Sequence, residues 1–216
     1  QRGTFFQRSA ELAMAEGRLE DAWMAVEQGL ALAAGTDDGS HAPEIRMVGA
    51  RVLADRAEHA RTHGRPAEVD KLVQQASDLI EATEASVATI TSRGGHVTPH
   101  AQVCLVTTRA ERSRITTSDP QLWAEAALVA SAAREANLTA YARWREAEAL
   151  LGGRTGRARA HERLLEARGI ATRMGAAPLL ARIDELAQRA RLDLAPVNAA
   201  PAAPAADLGL TPRESE

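Results

Sequence analysis

The sequence predicts an all-α protein, a stack of antiparallel helical hairpins with about nine helices. Three observations predict it. First, 47 of the 216 residues are alanine and only six are aromatic. Alanine is the best helix former, whereas strands favour β-branched and aromatic side chains, so a sheet-based fold is nearly excluded. Second, apolar residues recur at the helical period in stretches separated by Gly and Pro. Third, a Gly-Arg turn echoes along the chain. Gly17-Arg18-Leu19-Glu20-Asp21-Ala22, Gly64-Arg65-Pro66-Ala67-Glu68-Val69 and Gly153-Arg154-Thr155-Gly156-Arg157-Ala158 stand at offsets of 47 and 89 residues, a unit of about 45. A unit of that length that cannot bury its own apolar face is stabilised by stacking on its neighbours.

The elements follow in order. The first helix is read near 4–16, its opening residues Gln1 to Arg8 being helical in character and not a leader. The second, 19–34, carries the stripe Leu19, Ala22, Trp23, Val26, Leu30 and Ala33 at the 3.6-residue period. Helices near 43–63, 66–92, 98–114, 119–136, 138–151, 156–174 and 177–193 complete the set. Pro43, Pro66, Pro99, Pro120 and Pro178 mark starts, because a first helical turn tolerates a missing N–H. Asp119-Pro120 adds an N-cap. The second half of 66–92 is rich in Thr and Ala, which leaves open a division into two helices, and Thr91–Thr98 reads as a long loop. The last helix shows Leu179, Leu180, Ile183, Leu186, Ala187 and Ala190 on one face and is expected to cover the end of the stack, with Leu179, Leu180, Ile183 and Leu186 buried together. Gly29 and Ala76, each twelve positions after a turn glycine, let neighbouring helices approach. Arginine at the turns is read as sitting near the last carbonyls of the preceding helix.

Net charge is −3 and the pI near 6.1, which is no overall nucleic-acid signature. The charge is uneven: residues 1–100 carry net −5, whereas 143–191 carry 11 Arg against 6 acids. That basic block could face an acidic partner or DNA. The favoured reading is a solvated face with helix-pair salt bridges such as Arg145 with Glu148 and Arg163 with Glu166. No run approaches the roughly 20 apolar residues of a membrane span. Cys104 is the sole cysteine; this fits a reducing cytoplasm.

Candidate chemistry is sparse. His59 and His63, and His96 and His100, have the i, i+4 spacing that can begin a zinc site, yet neither pair reads His-Glu-x-x-His or has an evident third ligand. His63 before Gly64 is better read as a cation at a helix C-terminus, and Pro99 separates His96 from His100. Cys104, among Val103, Leu105 and Val106, reads as a buried small hydrophobe with an inert thiol. Gly152-Gly153-Arg154-Thr155-Gly156 has the glycines of a phosphate loop without a preceding strand or a following Lys, so it reads as a hairpin turn. Trp23, Trp123, Tyr141 and Trp144 could line a ligand groove, but core packing is the stronger reading. No Ser/His/Asp grouping stands out; no cofactor, catalytic residue or metal site is expected, and no enzyme.

The character changes at residue 195. Residues 195–207 form an Ala/Pro linker that cannot hold a regular helix. At 208–216, Thr211, Pro212 and Glu214 form a capping box that opens a new helix. Leu210-Thr211-Pro212-Arg213-Glu214-Ser215-Glu216 resembles the opening of the helix-turn-helix domain of LuxR-type transcription regulators. Upstream, Ala140 through Leu151 and Ala158 through Leu194 are similar to consecutive segments of the large ATP-binding members of that family, which are followed there by a linker and the DNA-binding domain. The convincing part spans about 120–216, while 1–119 resembles generic tetratricopeptide-like hairpins. The resemblance implies a tetratricopeptide-like superhelix over 1–194, set between a signalling ATPase, at times preceded by a cyclase-like domain, and a DNA-binding domain begun at 208–216 and cut short. No Gly-x-x-x-x-Gly-Lys-Ser/Thr occurs in this chain, and no functional residue of either flanking domain carries over; Thr211, Arg213 and Glu214 match only as helix-start residues. By resemblance, the expected role is a cytoplasmic segment that senses or relays a signal, taking a protein partner or small-molecule effector in its helical groove and reaching DNA only through the missing domain. The alternative is a tetratricopeptide-like interaction scaffold without transcriptional output.

Overall fold

The computed structural model describes residues 2–34 and 41–194, with side chains from residue 4. Among them stand nine helices and no strand: α1 (Arg2–Ala15), α2 (Leu19–Ala34), α3 (Ala42–Thr62), α4 (Ala67–Ser92), α5 (Pro99–Arg114), α6 (Pro120–Ala132), α7 (Ala136–Leu151), α8 (Arg157–Met174) and α9 (Ala177–Ala190). The all-α class and the helix number agree with the sequence. The expected linker over 195–207 and capping box at 208–216 lie outside the described residues.

Local chemistry sets the helix ends. Pro43, Pro99, Pro120 and Pro178 stand in first turns. Asp119 caps α6, its side chain accepting from the Gln121 N–H at 2.8 Å, and Thr98 caps α5 through Ala101 N–H at 3.1 Å. Six helices stop on the same pair of backbone bonds, as at α1, where Gly17 N–H reaches Met14 O and Arg18 N–H reaches Ala13 O. That closure needs a left-handed residue. Glycine supplies it at 17, 64, 94 and 175, but Arg134 (φ 60°) and Arg191 (φ 52°) supply it after α6 and α9. The sequence offers no glycine at 134, so it predicts a helix to 136, whereas α6 ends at Ala132.

Other expectations are corrected. The third Gly-Arg echo does not share the geometry of the first two. Gly153 is not left-handed, and the turn closes instead at Gly156, where a Cβ would lie 2.2 Å from Leu150 O. The side chains of the turn arginines go to carboxylates and not to the preceding carbonyls: Arg18 pairs with Glu16 and Asp21, and Arg65 with Glu68 at 3.2 Å. Nor is α4 divided. Thr83, Ser86, Thr89 and Thr91 turn their hydroxyls onto carbonyls four residues back. The hydroxyls thereby find partners without breaking the helix, and the following loop shrinks to 93–98.

Consecutive helices pack as hairpins, and a second set of contacts joins α1 to α3, α3 to α5 and α7 to α9. The core forms three adjoining clusters along the stack. One joins Ala10, Ala22, Val26, Ile45 and Val52 of α1–α3; the next joins Leu53, Leu72, Leu79 and Ile115; the largest joins Trp123, Trp144, Leu164, Ile183 and Leu186 of α6–α9. Small residues bring the helices close. A Cβ on Gly29 would meet Phe6 Cβ at 3.0 Å and Ile45 Cδ1 at 3.2 Å, and Ala76 is fully buried. In α9, Ile183 and Leu186 are buried as expected, while Leu179 and Leu180 are only half-buried against the same cluster.

Candidate functional site

The odd-numbered helices share a face of the stack, and a cavity of about 410 Å³ opens along it. It is lined from α1 by Arg8, Glu11 and Met14, from α3 by Met47, Val48 and Arg51, and from α5 by Thr107 and Glu111. The far wall is Asn137, Leu138 and Tyr141 of α7 with Pro178, Leu179 and Arg182 of α9. The volume lies in the range of small-ligand sites, and the lining mixes apolar walls with a few polar groups, as such sites do.

Beneath the floor lies a buried ionic network. Glu111, 1% exposed, accepts from Tyr141 Oη at 2.5 Å and from Arg114 Nη1 at 2.6 Å. Arg114 Nη2 also reaches Asp55 at 2.7 Å. Arg145 donates through Nε to Tyr141 Oη at 3.2 Å and through Nη1 to Glu148 at 2.5 Å. Burial penalises the Arg114 charge, but Glu111, Tyr141 and Asp55 outweigh that and hold its pKa well above the ordinary value. Burial likewise pushes Asp55 up, yet the charges of Arg114, Arg145 and Arg51 bring its carboxyl below the usual range. Burial raises the Tyr141 phenol, keeping it a neutral donor to Glu111. Removing one partner of such a pair costs about 3–5 kcal/mol, because the other is left buried and uncompensated.

The two arginines above it are different. Arg51 stacks over the Tyr141 ring, 4.5 Å from its centroid, and its buried Nε–H has no acceptor. Arg182 lies 5.8 Å from the Trp144 ring centroid. Neither has an ion-pair or hydrogen-bond partner among the described residues. Burial, and then the charge of Arg51, lowers the Arg182 pKa.

Of the candidate ligand-groove aromatics, Tyr141 alone lines this cavity, joined by Pro178 and Leu179, which the sequence marks as helix start and core. Trp123 is fully buried and donates to Ser118 Oγ at 3.1 Å; Trp144 is buried and Trp23 half-buried against the core. The core reading fits the tryptophans, and Tyr141 is both core and wall. Arg145–Glu148 and Arg163–Glu166 pair as expected. Glu146, fully buried, further takes Arg143 at 2.7 Å and Arg163 at 3.1 Å, so much of the basic block is internally neutralised. Cys104 is fully buried, and burial raises its thiol pKa. His63 follows the last turn of α3, its Nδ1 2.8 Å from His59 O. His96 lies in the loop before α5 and His100 in that helix. His100 Nε2 stands 2.6 Å from Glu44 and Nδ1 2.8 Å from Glu135. Among the described residues no group of three or more His, Cys, Asp or Glu is arranged to hold a metal ion. Gly152–Gly156 joins two helices and edges an open cleft that Glu58, Arg61, Arg114 and Glu148 also line.

Sequence reasoning missed Arg51, Asp55, Glu111 and Arg114. A signal existed in α5, whose Val103–Val106 run is apolar on every face, so the Thr107, Thr108, Glu111 and Arg114 that follow are also buried. No helix of the described residues is long and apolar enough to cross a membrane. No family model matches the chain, and no curated protein or solved structure does.

Proposed function

We propose that this chain is the signal-sensing or relay segment of a LuxR-type ATPase regulator, coupling occupancy of the inner-face cavity to a DNA-binding domain. The observation that carries the reading is the order of segments in the sequence. Ala140–Leu151, Ala158–Leu194, an Ala/Pro linker and Leu210-Thr211-Pro212-Arg213-Glu214-Ser215-Glu216 follow one another as they do in those regulators. A cavity walled by α1, α3, α5, α7 and α9 supports a sensing role, because an occupant there touches every hairpin of the stack at once. α9, which forms one wall, leads directly toward the linker at 195. Such a segment works in the cytoplasm, hydrolyses no nucleotide itself and reaches DNA only through a helix-turn-helix domain of the kind whose opening 210–216 resembles.

The test is a pair of titrations on candidate promoter DNA at about 0.15 M salt, where long-range charge attraction is screened. The chain as given should show at most a weak contact that fades as salt rises. The chain extended through a complete helix-turn-helix domain should bind sequence-selectively. Equal selective binding by both would place DNA reading on the helical stack and overturn the proposal. Failure of the extended chain on every promoter would favour an interaction scaffold of the same architecture.

A further inference from the structure

The arginine pair in the inner-face cavity has no carboxylate in contact, unlike the other cations of that region; Asp55 acts on both only at longer range. Glu11 accepts from Arg8 at 2.7 Å and from Gln7 at 3.3 Å. Both oxygens of Glu111 are taken by Tyr141 and Arg114. Asp55 and Glu148 are taken by Arg114 and Arg145. Arg51 of α3 and Arg182 of α9 are left, both lining the cavity and each without a salt bridge or hydrogen bond to a carboxylate among the described residues. A half-buried guanidinium without a partner is costly, and two of them close together are more so. Burial and then the charge of Arg51 lower the Arg182 pKa against the opposing pull of Asp55, so the Arg182 charge is disfavoured where it stands. One anion between them relieves both.

We propose that the cavity is a receptor site for a small carboxylate with an apolar body, its carboxylate held between Arg51 and Arg182. Planar guanidiniums match a carboxylate edge with paired N–H donors. The remaining lining fits an apolar body: Met47, Val48, Leu138 and Leu179 form the walls. Asn137 and Thr107 offer the polar contacts that would orient it. A volume near 410 Å³ suits a small molecule and excludes a folded partner. A dianionic phosphate fits less well than a monocarboxylate, since it brings more negative charge beside Glu11 and Glu111 and has no apolar body for Met47, Val48, Leu138 and Leu179 to cover. The inference rests on the sensing role proposed above and gives that role its ligand class.

The probes are benzoate and a series of short aliphatic carboxylates, with benzamide as the neutral shape control and inorganic phosphate as the inorganic anion. Binding is read on the chain by calorimetry and by thermal unfolding. At millimolar concentration at least one carboxylate should bind saturably and raise Tm, while benzamide does not. Arg51→Gln and Arg182→Gln should each weaken that carboxylate about tenfold or more, as expected for loss of a charge-assisted hydrogen bond. Each variant gives up a ring contact, on Tyr141 or Trp144, and a long-range attraction to Asp55, so each should melt slightly lower than the parent; binding is compared well below each variant's own unfolding transition, which separates lost binding from lost folding. Arg51→Lys, which keeps charge without the fork, should bind more weakly than the parent. The proposal is overturned if no carboxylate of the series binds, if both Gln variants bind as the parent does, or if phosphate competes as well as the best carboxylate. Promoter binding by the extended chain separates the two readings. Carboxylate binding without any DNA response upholds the site and defeats the regulator; selective DNA binding with no carboxylate bound does the reverse.

Discussion

His100 shows at the scale of one residue how neighbours decide a charge. Burial alone would lower its pKa, but the hydrogen bond to Glu135, the charge of Glu135 and the charge of Glu44 together raise it above 6.5. The imidazole bridges the start of α3 to the end of the α6–α7 turn through those two carboxylates. His41 also faces Glu44, at 3.4 Å, and the Cys104 thiol lies 3.5 Å from His100 Nε2. A group whose folded pKa is raised stabilises the fold fully below its unfolded value and loses that contribution as pH rises through the folded value. Stability should therefore fall between pH about 6 and pH about 8, near and above the ordinary histidine range. The effect is modest, because the side chain is 41% exposed and solvent screens it. Urea midpoints at the two pH values check this, with His100→Gln as reference. A pH difference as large in the variant as in the parent would show that His100 is not its source. No sequence pattern points to this bridge. The i, i+4 spacing to His96 drew attention to the residue for zinc, while its real partners stand 56 and 35 positions away in the chain.

At the scale of the element, the same chemical change has opposite outcomes on two helices. Gly29 and Gly169 both lie inside helices, α2 and α8. Replacing either with Ala lowers the backbone entropy lost on folding and is worth roughly 1 kcal/mol in helix propensity. At Gly169 the new Cβ would meet only the end of the Arg173 side chain, at 3.6 Å, an ordinary contact. Gly169→Ala should thus stabilise by about 0.5–1 kcal/mol. At Gly29 the Cβ would stand 3.0 Å from Phe6 Cβ and 3.2 Å from Ile45 Cδ1, between α1 and α3. Overpacking of that kind costs about 1–3 kcal/mol, so Gly29→Ala should destabilise on balance. Denaturant midpoints for the two variants should move in opposite directions; a rise in both would mean that α1 yields readily. This contrast marks what the sequence made legible. Helix positions follow from period and punctuation, and a small residue twelve positions after a turn is a visible signature of close packing. Where a helix stops on Arg134 or Arg191, or where Glu111 is buried, the cause is tertiary. A left-handed arginine and a paired carboxylate leave no local mark.

At the scale of the molecule, the three core clusters make stability a chain of neighbouring interfaces, strongest where α7 meets α6 and α8. α9 is held only at the end of that chain. Ile183 and Leu186 enter the largest cluster, Arg168 meets Asp184 at 3.1 Å, and Arg157 donates to Ala190 O at 2.7 Å and Arg191 O at 2.8 Å. The surface pairs add little, so the two apolar anchors dominate. Ile183→Ala and Leu186→Ala should each cost about 2–5 kcal/mol. At this size each kcal/mol shifts Tm by about 2–4 °C. In a stack whose units touch mainly their neighbours, the loss should also be local. Hydrogen exchange should show α9 and the α8 amides facing it opening first, with α1 and α2 nearly as protected as in the parent. Arg182 and Leu179 sit on the same helix as the two anchors, so loosening α9 removes one wall of the cavity while leaving the Glu111–Arg114 floor intact. Carboxylate binding should then weaken in Ile183→Ala in step with α9 exchange, and the ligand should restore α9 protection in the parent. Uniform loss of protection across all nine helices would mean that the stack unfolds as one unit, and an occupant of the cavity could not act through its last helix alone.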